Sequence, residues 1–451
     1  MAPTIQHVSS DPTLPARVDA VVIGGGIIGV CTAYYLAKKG VAVALCEKGV
    51  IAGEQSSRNW GWCRTMGRDP AEIPLSIESL RMWATMNEDV GAETGFRRTG
   101  IVYLCETKKD VDGHAAWLAR TLPHQVNARL LGSDEVAKLL PASTRRWLGG
   151  LVAPHDGIAE PSIAAPAIAE AARRLGASIF TSCAVRGLET TGGILSAVIT
   201  EKGRIACGAV ILAGGAWSSL FCGAHGIHFP QLKILASVMR AAPVEGAPLP
   251  AVGASDFAFR RQLDGGYTIA QRGANIAPIV PDSFRLFFEF LPAAVKQWQQ
   301  LRLRIGRRFV EEWKMSRRWP LDEVSPFETI RILDPEPTMS ILSEAEANLT
   351  RDFPVFKGAT ITDRWAGLID VTPDAIPVIS PVPSLPGFFL ASGFSGHGFG
   401  IAPAAGKLMA ELVTGDSTIV DPAPFRMQRF ANASPFSSGL RNAAKSLWTD
   451  A

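Results

Sequence analysis

The chain has 451 residues, 47% of them hydrophobic and 19% charged, with a formal net charge of +3. That balance describes a globular protein with a core large enough for about two or three domains, and it excludes the basic footprint of a nucleic-acid binder. Seven cysteines at 31, 46, 63, 105, 183, 207 and 222 form no CxxC and no paired framework, which excludes a disulfide scaffold and structural zinc and points to a cytoplasmic, reducing compartment.

Residues 1–16 are polar, contain Pro12 and Pro15, and lack a charged start followed by an apolar run. They read as an unstructured lead-in rather than a signal peptide. From Asp19 the pattern becomes strand, glycine turn, helix and strand. DAVVIG is β-branched, IIGVCTAYYLAKKG is a helix closed by Gly40, and VAVALC is a second buried strand ending at Glu47. Glycines and two lysines interrupt this apolar stretch before it reaches membrane-spanning length.

Gly24, Gly26 and Gly29 give G-x-G-x-x-G between strand and helix. Gly24 permits the tight turn, Gly26 lets the backbone approach a pyrophosphate, and Gly29 lets helix and strand pack closely. The helix start offers free N–H groups and a positive dipole end. Glu47 stands where a carboxylate accepts from both ribose hydroxyls and repels a 2′-phosphate, which disfavours NADP. The pattern alone leaves NAD and FAD both open.

SSRNWGWCRTMGR, residues 56–68, then places flat apolar rings, tight backbone and arginines together. EIPLSIESLRMWATM reads as a helix and TGIVYLCE as a strand. PSIAAPAIAEAARRLGA is an amphipathic helix, SIFTSCAV a strand, LETTGGILSAVITEKG a hairpin and GAVILAGGAWS a strand–turn. SVMRAAP, DFAFRRQ and GGYTIAQRG alternate like antiparallel strands, and AAVKQWQQLRLRIGRRFVEEWKMSRRW reads as a long helical run. GFFLASGFSGHGFGIAPAAGKLMAELVTG repeats strand, glycine-rich turn and helix. The expected fold is α/β plus α+β: a Rossmann-like nucleotide domain assembled from 17–65, 151–230 and 361–420, and an antiparallel-sheet cap from 66–150 and 231–360. Residues 421–451 form a terminal segment. The basic run from Arg302 to Arg318 is a solvated cap helix or a membrane- or partner-docking one.

In order along the chain, the N-terminal fingerprint, DGIAEPSIAAPAIAEAARRLGA, AGGAWS, RWAGLIDVTPDAIPVIS and GFSGHGFGIAPAAG resemble the D-amino-acid oxidase superfamily of flavoproteins, in its sarcosine oxidase and glycine oxidase branch. The resemblance implies that Gly24, Gly26 and Gly29 hold the FAD pyrophosphate and Glu47 the adenosine ribose. It places Ser56, Ser57 and Arg58 along the pyrophosphate and flavin, with Arg58 structural or cofactor-bound. Val185 would meet adenine and Gly214 and Trp217 would flank the cofactor, while the amides around Gly398, Gly400 and Ile401 would face the flavin's pyrimidine end. The covalent attachment cysteine of monomeric sarcosine oxidases has no counterpart in WAGLIDVTPDAIPVIS, so non-covalent FAD is expected.

Arg64 matches the arginine that pairs with the substrate carboxylate, a task suited to a guanidinium fork; pairing with an internal acid is the alternative. Trp60 and Trp62 are apolar walls or interdomain packing. The chain departs from the family where sarcosine oxidases carry a lysine, here Gly400, and where glycine oxidases carry an arginine, here Ile369 and Asp370. Arg68, Arg260, Arg261 and Arg272 are candidates for the missing half of the clamp. Asp370 binds a substrate ammonium or caps a turn. His397 orients substrate, tunes the flavin or bonds its own turn. No histidines stand at metal-ligand spacing, so no metal is expected. The implied reaction is oxidation of a carboxylate-bearing amine (sarcosine, glycine, an iminodiacetate-like compound) by hydride transfer to the flavin, followed by hydrolysis. No near-flavin lysine stands in GGYTIAQRG, so oxygen or another electron acceptor is the partner. A D-amino-acid dehydrogenase, an NAD enzyme and a non-catalytic flavoprotein subunit are the competing readings.

Overall fold

The computed structural model describes residues 3–296 and 301–430. Two sheets organise it. The first has six strands in the order Val378–Pro381, Phe388–Ser392, Ala209–Leu212, Ala20–Ile23, Val43–Cys46, Ser178–Phe180. All neighbours run parallel except the first pair. Ala20–Ile23 and Val43–Cys46 are buried along their full length, as apolar runs covered on both faces must be. Helices Ile27–Lys38, Pro161–Arg174 and Gly398–Thr414 share one apolar cluster with this sheet. This is the Rossmann-like part.

The second sheet has ten strands and is mostly antiparallel. Its backbone is the pairing of Leu232–Ala241 with Ile361–Val371, which run antiparallel along nearly their whole length. Ala258–Arg261 and Tyr267–Ala270 extend it in the antiparallel sense that their alternation implies. Ile361–Val371 ends beside the first sheet, where the amide of Gly393 donates to Asp370 (2.7 Å). Ile361–Val371, expected as part of the nucleotide domain, thus pairs within the second sheet and reaches the glycine-rich turn before Gly398–Thr414.

Three expectations need correction. The N-terminal segment is docked, not unstructured. Val8 is buried, the Asp11 amide donates to the Ile179 carbonyl (2.8 Å), and the Ile179 amide donates to the Asp11 carboxylate (2.6 Å). The segment covers the exposed edge of Ser178–Phe180, which accounts for its order. The SIFTSCAV strand stops at Phe180, and Val185 opens a different strand, Val185–Thr191. The long helical run is broken as well. Helix Phe287–Lys296 is followed by strand Leu301–Arg304, parallel to Asn275–Pro278, and then by helix Arg307–Lys314. Edge pairing overrides helical propensity there. Arg302 pairs with Glu344, Arg307 with Glu311 and Arg308 with Glu312, so much of the basic run is internally balanced. Among the described residues no helix is long and apolar enough to cross a membrane.

Candidate active site

The glycine turn is built as its spacing requires. Gly24 has φ +108°, and a Cβ on Gly29 would lie 1.9 Å from the Gly24 carbonyl oxygen. Gly25 donates its amide to Glu47 Oε2 (2.6 Å) and Gly49 donates to Oε1 (2.7 Å). Burial raises the Glu47 pKa, with Lys48 and these two amides working against it. Ser56 enters from a distant turn. Its Oγ accepts from the Ile27 amide (2.8 Å), occupying one free N–H at the start of Ile27–Lys38.

These groups open onto one cavity that encloses about 1220 Å³ counted out to its mouth. Gly24, Gly26, Glu47, Ser56, Val185, Gly214, Trp217 and Gly398 all line it. Trp217 is fixed by its Nε1 donating to Glu54 (3.0 Å), and Lys48 lies 4.5 Å over the Trp217 ring while pairing with Glu54 (2.6 Å). The lining suits a long two-headed ligand: Glu47 and Val185 stand at one part of it, the glycine turn at another and the start of Gly398–Thr414 at a third. Ser57 and Arg58 do not line the cavity. Ser57 Oγ donates to the Glu54 carbonyl (3.2 Å), whereas Arg58 is fully buried, ion-paired with Asp334 (2.5 Å) and bonded to the Ala366 carbonyl (2.8 Å). That makes Arg58 a tie from the short helix Gln55–Arg58 to strand Ile361–Val371 and to Asp334. Gly400 and Ile401 lie just inside the helix, behind the lining residues Gly398 and Phe399. The Gly400 carbonyl accepts from Ser79 Oγ (2.8 Å) and Trp83 Nε1 (2.9 Å), and a Cβ on Gly400 would sit 2.7 Å from the Trp62 carbonyl. Gly400 is thus the contact that brings the loop carrying Arg64 against the helix start.

That loop is held by Asp156. The carboxylate accepts from the Thr65 amide and hydroxyl (both 2.9 Å) and from the Met66 amide (3.1 Å). Burial pushes the Asp156 pKa up, and those donors oppose it. Arg64 itself donates to the Met66 carbonyl and lies 5.7 Å from the centre of the Tyr103 ring, with no carboxylate in ion-pair range. The internal-acid alternative therefore has no partner among the described residues. Arg272 stacks on the same ring at 3.8 Å and donates to the Ala254 carbonyl (2.9 Å). Arg68 is 3% exposed, and its Nε and Nη1 have no hydrogen-bond partner among the described residues. Burial, then the neighbouring Arg64 charge, lower its pKa to about 9.

Two other clamp candidates drop out. Arg260 is buried in a two-pronged pair with Glu160 (2.7 and 2.9 Å), and Arg261 is exposed. Trp60 and Trp62 meet edge to face at 5.3 Å and pack towards Tyr103 rather than lining the cavity. His397 sits between the lining residues Gly396 and Gly398, with Nδ1 3.4 Å from Glu72. Burial, then Arg68, lower its pKa to about 4 against the opposing pull of Glu72. The ring is therefore neutral near pH 7. Burial works to raise the Glu72 pKa, but His397 and the arginines outweigh it and hold it below the ordinary carboxylate range.

Asp370 lines the cavity and accepts from the amides of Gly393 (2.7 Å) and Phe394 (3.3 Å), so it does cap a turn. Burial raises its pKa to about 6 despite those donors. An unfolded aspartate ionises near pH 4, so between about pH 4 and pH 6 the unfolded chain loses a proton that the folded chain keeps. Stability from this group is therefore full below that window and is lost as pH rises through it, by about 3 kcal/mol. Asp370→Asn should flatten the pH dependence of the urea midpoint across the window; an unchanged slope would assign the proton elsewhere.

Sequence reasoning missed Asp156, Glu72, Tyr103 and the Lys48–Glu54 pair that holds Trp217. Nothing local marks the first three, since each acts on a partner distant in sequence or through the fold. Among the described residues no group of acids, histidines or cysteines could hold a metal.

Comparison with known proteins agrees with this geometry. Residues 19–412 match the family model DAO, FAD dependent oxidoreductase. The chain is similar to sarcosine oxidase subunit beta of Arthrobacter sp, 25% identical over 429 residues and 93% of both chains. It is 26% identical to the glycine oxidase of Pseudomonas putida, over 90% of this chain and 97% of the relative. Among solved structures, the L-amino acid deaminase of Proteus myxofaciens in complex with anthranilate superimposes with a TM-score of 0.91 and 35% identity, over 94% of this chain and 96% of that one. The chain belongs to the DAO family of FAD-dependent oxidoreductases, and FAD is its cofactor.

Proposed function

We propose that the protein oxidises an amine bearing a carboxylate, either an amino acid or an N-substituted one such as sarcosine or glycine, to the imine that water then hydrolyses. The observation that carries this reading is Arg64. Among the described residues it is a guanidinium without an acid partner, on a loop clamped by Asp156 and seated against the start of Gly398–Thr414. The relatives support it, because glycine, sarcosine and L-amino acids share an amine on the carbon next to a carboxylate.

FAD, when bound, takes up the hydride from that carbon. The protein's own part is placement and charge. Glu47 holds the ribose, and the Gly24–Gly29 turn with the Ile27 helix start holds the pyrophosphate. Val185, Gly214 and Trp217 flank the cofactor, which we read as non-covalently held. The N-terminal amides of Gly398–Thr414 face the far end, where their positive dipole stabilises negative charge. Arg64 fixes the substrate carboxylate and so aims the amine carbon. Neutral His397 adds no cation beside the substrate amine, and no side-chain base is required of this site. The seven free, buried cysteines support a reducing, cytoplasmic setting.

The test is anaerobic mixing of the purified yellow protein with carboxylate-bearing amines. Bleaching of the flavin by at least one of them, with the matching oxo acid or aldehyde as product, is expected. Flavin that none of them bleaches would return the protein to the class of non-catalytic flavoprotein subunits. Oxygen uptake and peroxide release on re-aeration distinguish an oxidase from a dehydrogenase.

A further inference from the structure

Three guanidinium groups, those of Arg64, Arg68 and Arg272, gather beside the turn described above. Arg64 and Arg272 lie 5.7 and 3.8 Å from the centre of the same Tyr103 ring. Arg68 follows Arg64 on the same loop, behind Gly67, whose Cβ would lie 3.2 Å from both Arg64 and Tyr103. Arg68 also acts on His397 and Glu72, so the cluster extends from Tyr103 to the residues flanking Gly396 and Gly398 at the cavity.

Among the described residues, none of the three has a carboxylate within ion-pair range. Of the acids nearby, Asp156 spends its oxygens on Thr65 and Met66, and Glu72 lies 3.4 Å from His397 and outside ion-pair range of the three arginines, with one oxygen left unbonded among the described residues. Among the described residues Arg58 and Arg260 are as buried as Arg68, and each of them has its acid. A guanidinium buried with Nε and Nη1 unbonded is costly unless an anion completes it. A substrate's single carboxylate satisfies one fork in the two-pronged geometry and leaves two.

We propose that the substrate carries a second anionic group, received by Arg272 and Arg68, so that the preferred class is the amine dicarboxylates. This deepens the amine-oxidation reading and rests on it for the identity of the first carboxylate. Arg64 and Arg272 lie around one Tyr103 ring, so the two anionic groups would be held close together, as in short dicarboxylic amino acids and iminodiacetate-like amines. Tyr103, with Arg272 stacked on its face, holds that fork in one orientation.

Two measurements on the flavin-loaded protein test this. In anaerobic bleaching, aspartate, glutamate and iminodiacetate are compared with alanine, norvaline and sarcosine. The apparent second-order rate should favour the dicarboxylic members by roughly 100-fold, the scale on which a buried charge pair discriminates. Arg272→Gln and, separately, Arg68→Gln should collapse that ratio towards unity. In the second measurement glutarate, which has no amine, should raise the melting temperature far more than butyrate, and Arg272→Gln should abolish the difference. Equal bleaching by both series, with no glutarate-specific shift, would overturn the proposal and leave amine oxidation standing. A glutarate shift without bleaching by any amine would instead overturn amine oxidation and keep the two-anion site.

Discussion

A Gly29→Ala variant is expected to purify nearly colourless, retaining under about a tenth of the flavin per chain. The added Cβ would sit 1.9 Å from the Gly24 carbonyl oxygen and 3.1 Å from its carbon, atoms of a backbone turn that cannot swing aside as a side-chain tip can. Relief requires helix Ile27–Lys38 to move off strand Ala20–Ile23. That movement breaks the alignment of the Ile27 amide with Ser56 and of the Gly25 amide with Glu47. Overpacking of this kind costs about 1–3 kcal/mol or more, and here it falls on the groups that face the pyrophosphate. Gly113→Ala is the control. Gly113 lies in helix Lys108–Thr121 with nothing within 4 Å of its Cβ position, so alanine should be neutral or stabilise by about 0.5–1 kcal/mol. The readout is visible absorbance per mole of folded protein. A fully yellow Gly29→Ala would mean that the turn does not cradle the cofactor.

The second large effect is expected at Arg64. Removing the partner of a buried, hydrogen-bonded charge costs about 2–5 kcal/mol, so Arg64→Ala should lower kcat/KM by roughly 100- to 1000-fold, mainly through KM. Flavin content should stay intact, because Arg64 does not line the FAD cavity and its loop is held through Asp156 and backbone amides. Arg64→Lys keeps the charge but loses the planar fork, and should recover only part of the loss. Steady-state kinetics on the best substrate from the anaerobic screen provide the measurement. Unchanged KM in Arg64→Ala would remove this residue from the substrate's carboxylate.

The nucleotide half of the molecule was readable because its chemistry is local. A glycine with positive φ, a helix start and an acid at a strand end lie within residues 24–47 and announce themselves by spacing. The arginines were not readable in that way. Arg260 looked as promising as Arg272 until the fold brought Glu160 to it from a hundred residues earlier in the chain, and Arg58 looked cofactor-facing until Asp334 reached it. Which guanidinium remains unpaired is a property of the folded chain, and it decides the candidate site. The basic run misled for a related reason. LRLR has helix-compatible neighbours, yet pairing with Asn275–Pro278 determined its state. The polar N-terminal segment carries no periodicity, but Asp11 supplies the hydrogen bonds that an open sheet edge lacks.

The order of strands in the six-stranded sheet has a consequence for synthesis. Ala20–Ile23 leaves the ribosome early, yet one of its neighbours is Ala209–Leu212, which in turn needs Phe388–Ser392 on its other side. The helix whose start closes the cavity begins only at Gly398. Nascent chains must therefore wait, with two buried-type strands exposed, until the segment beyond Gly398 has emerged. Loading of the flavin has to follow that point, and truncation before Gly398 should yield insoluble product rather than a smaller nucleotide-binding fragment.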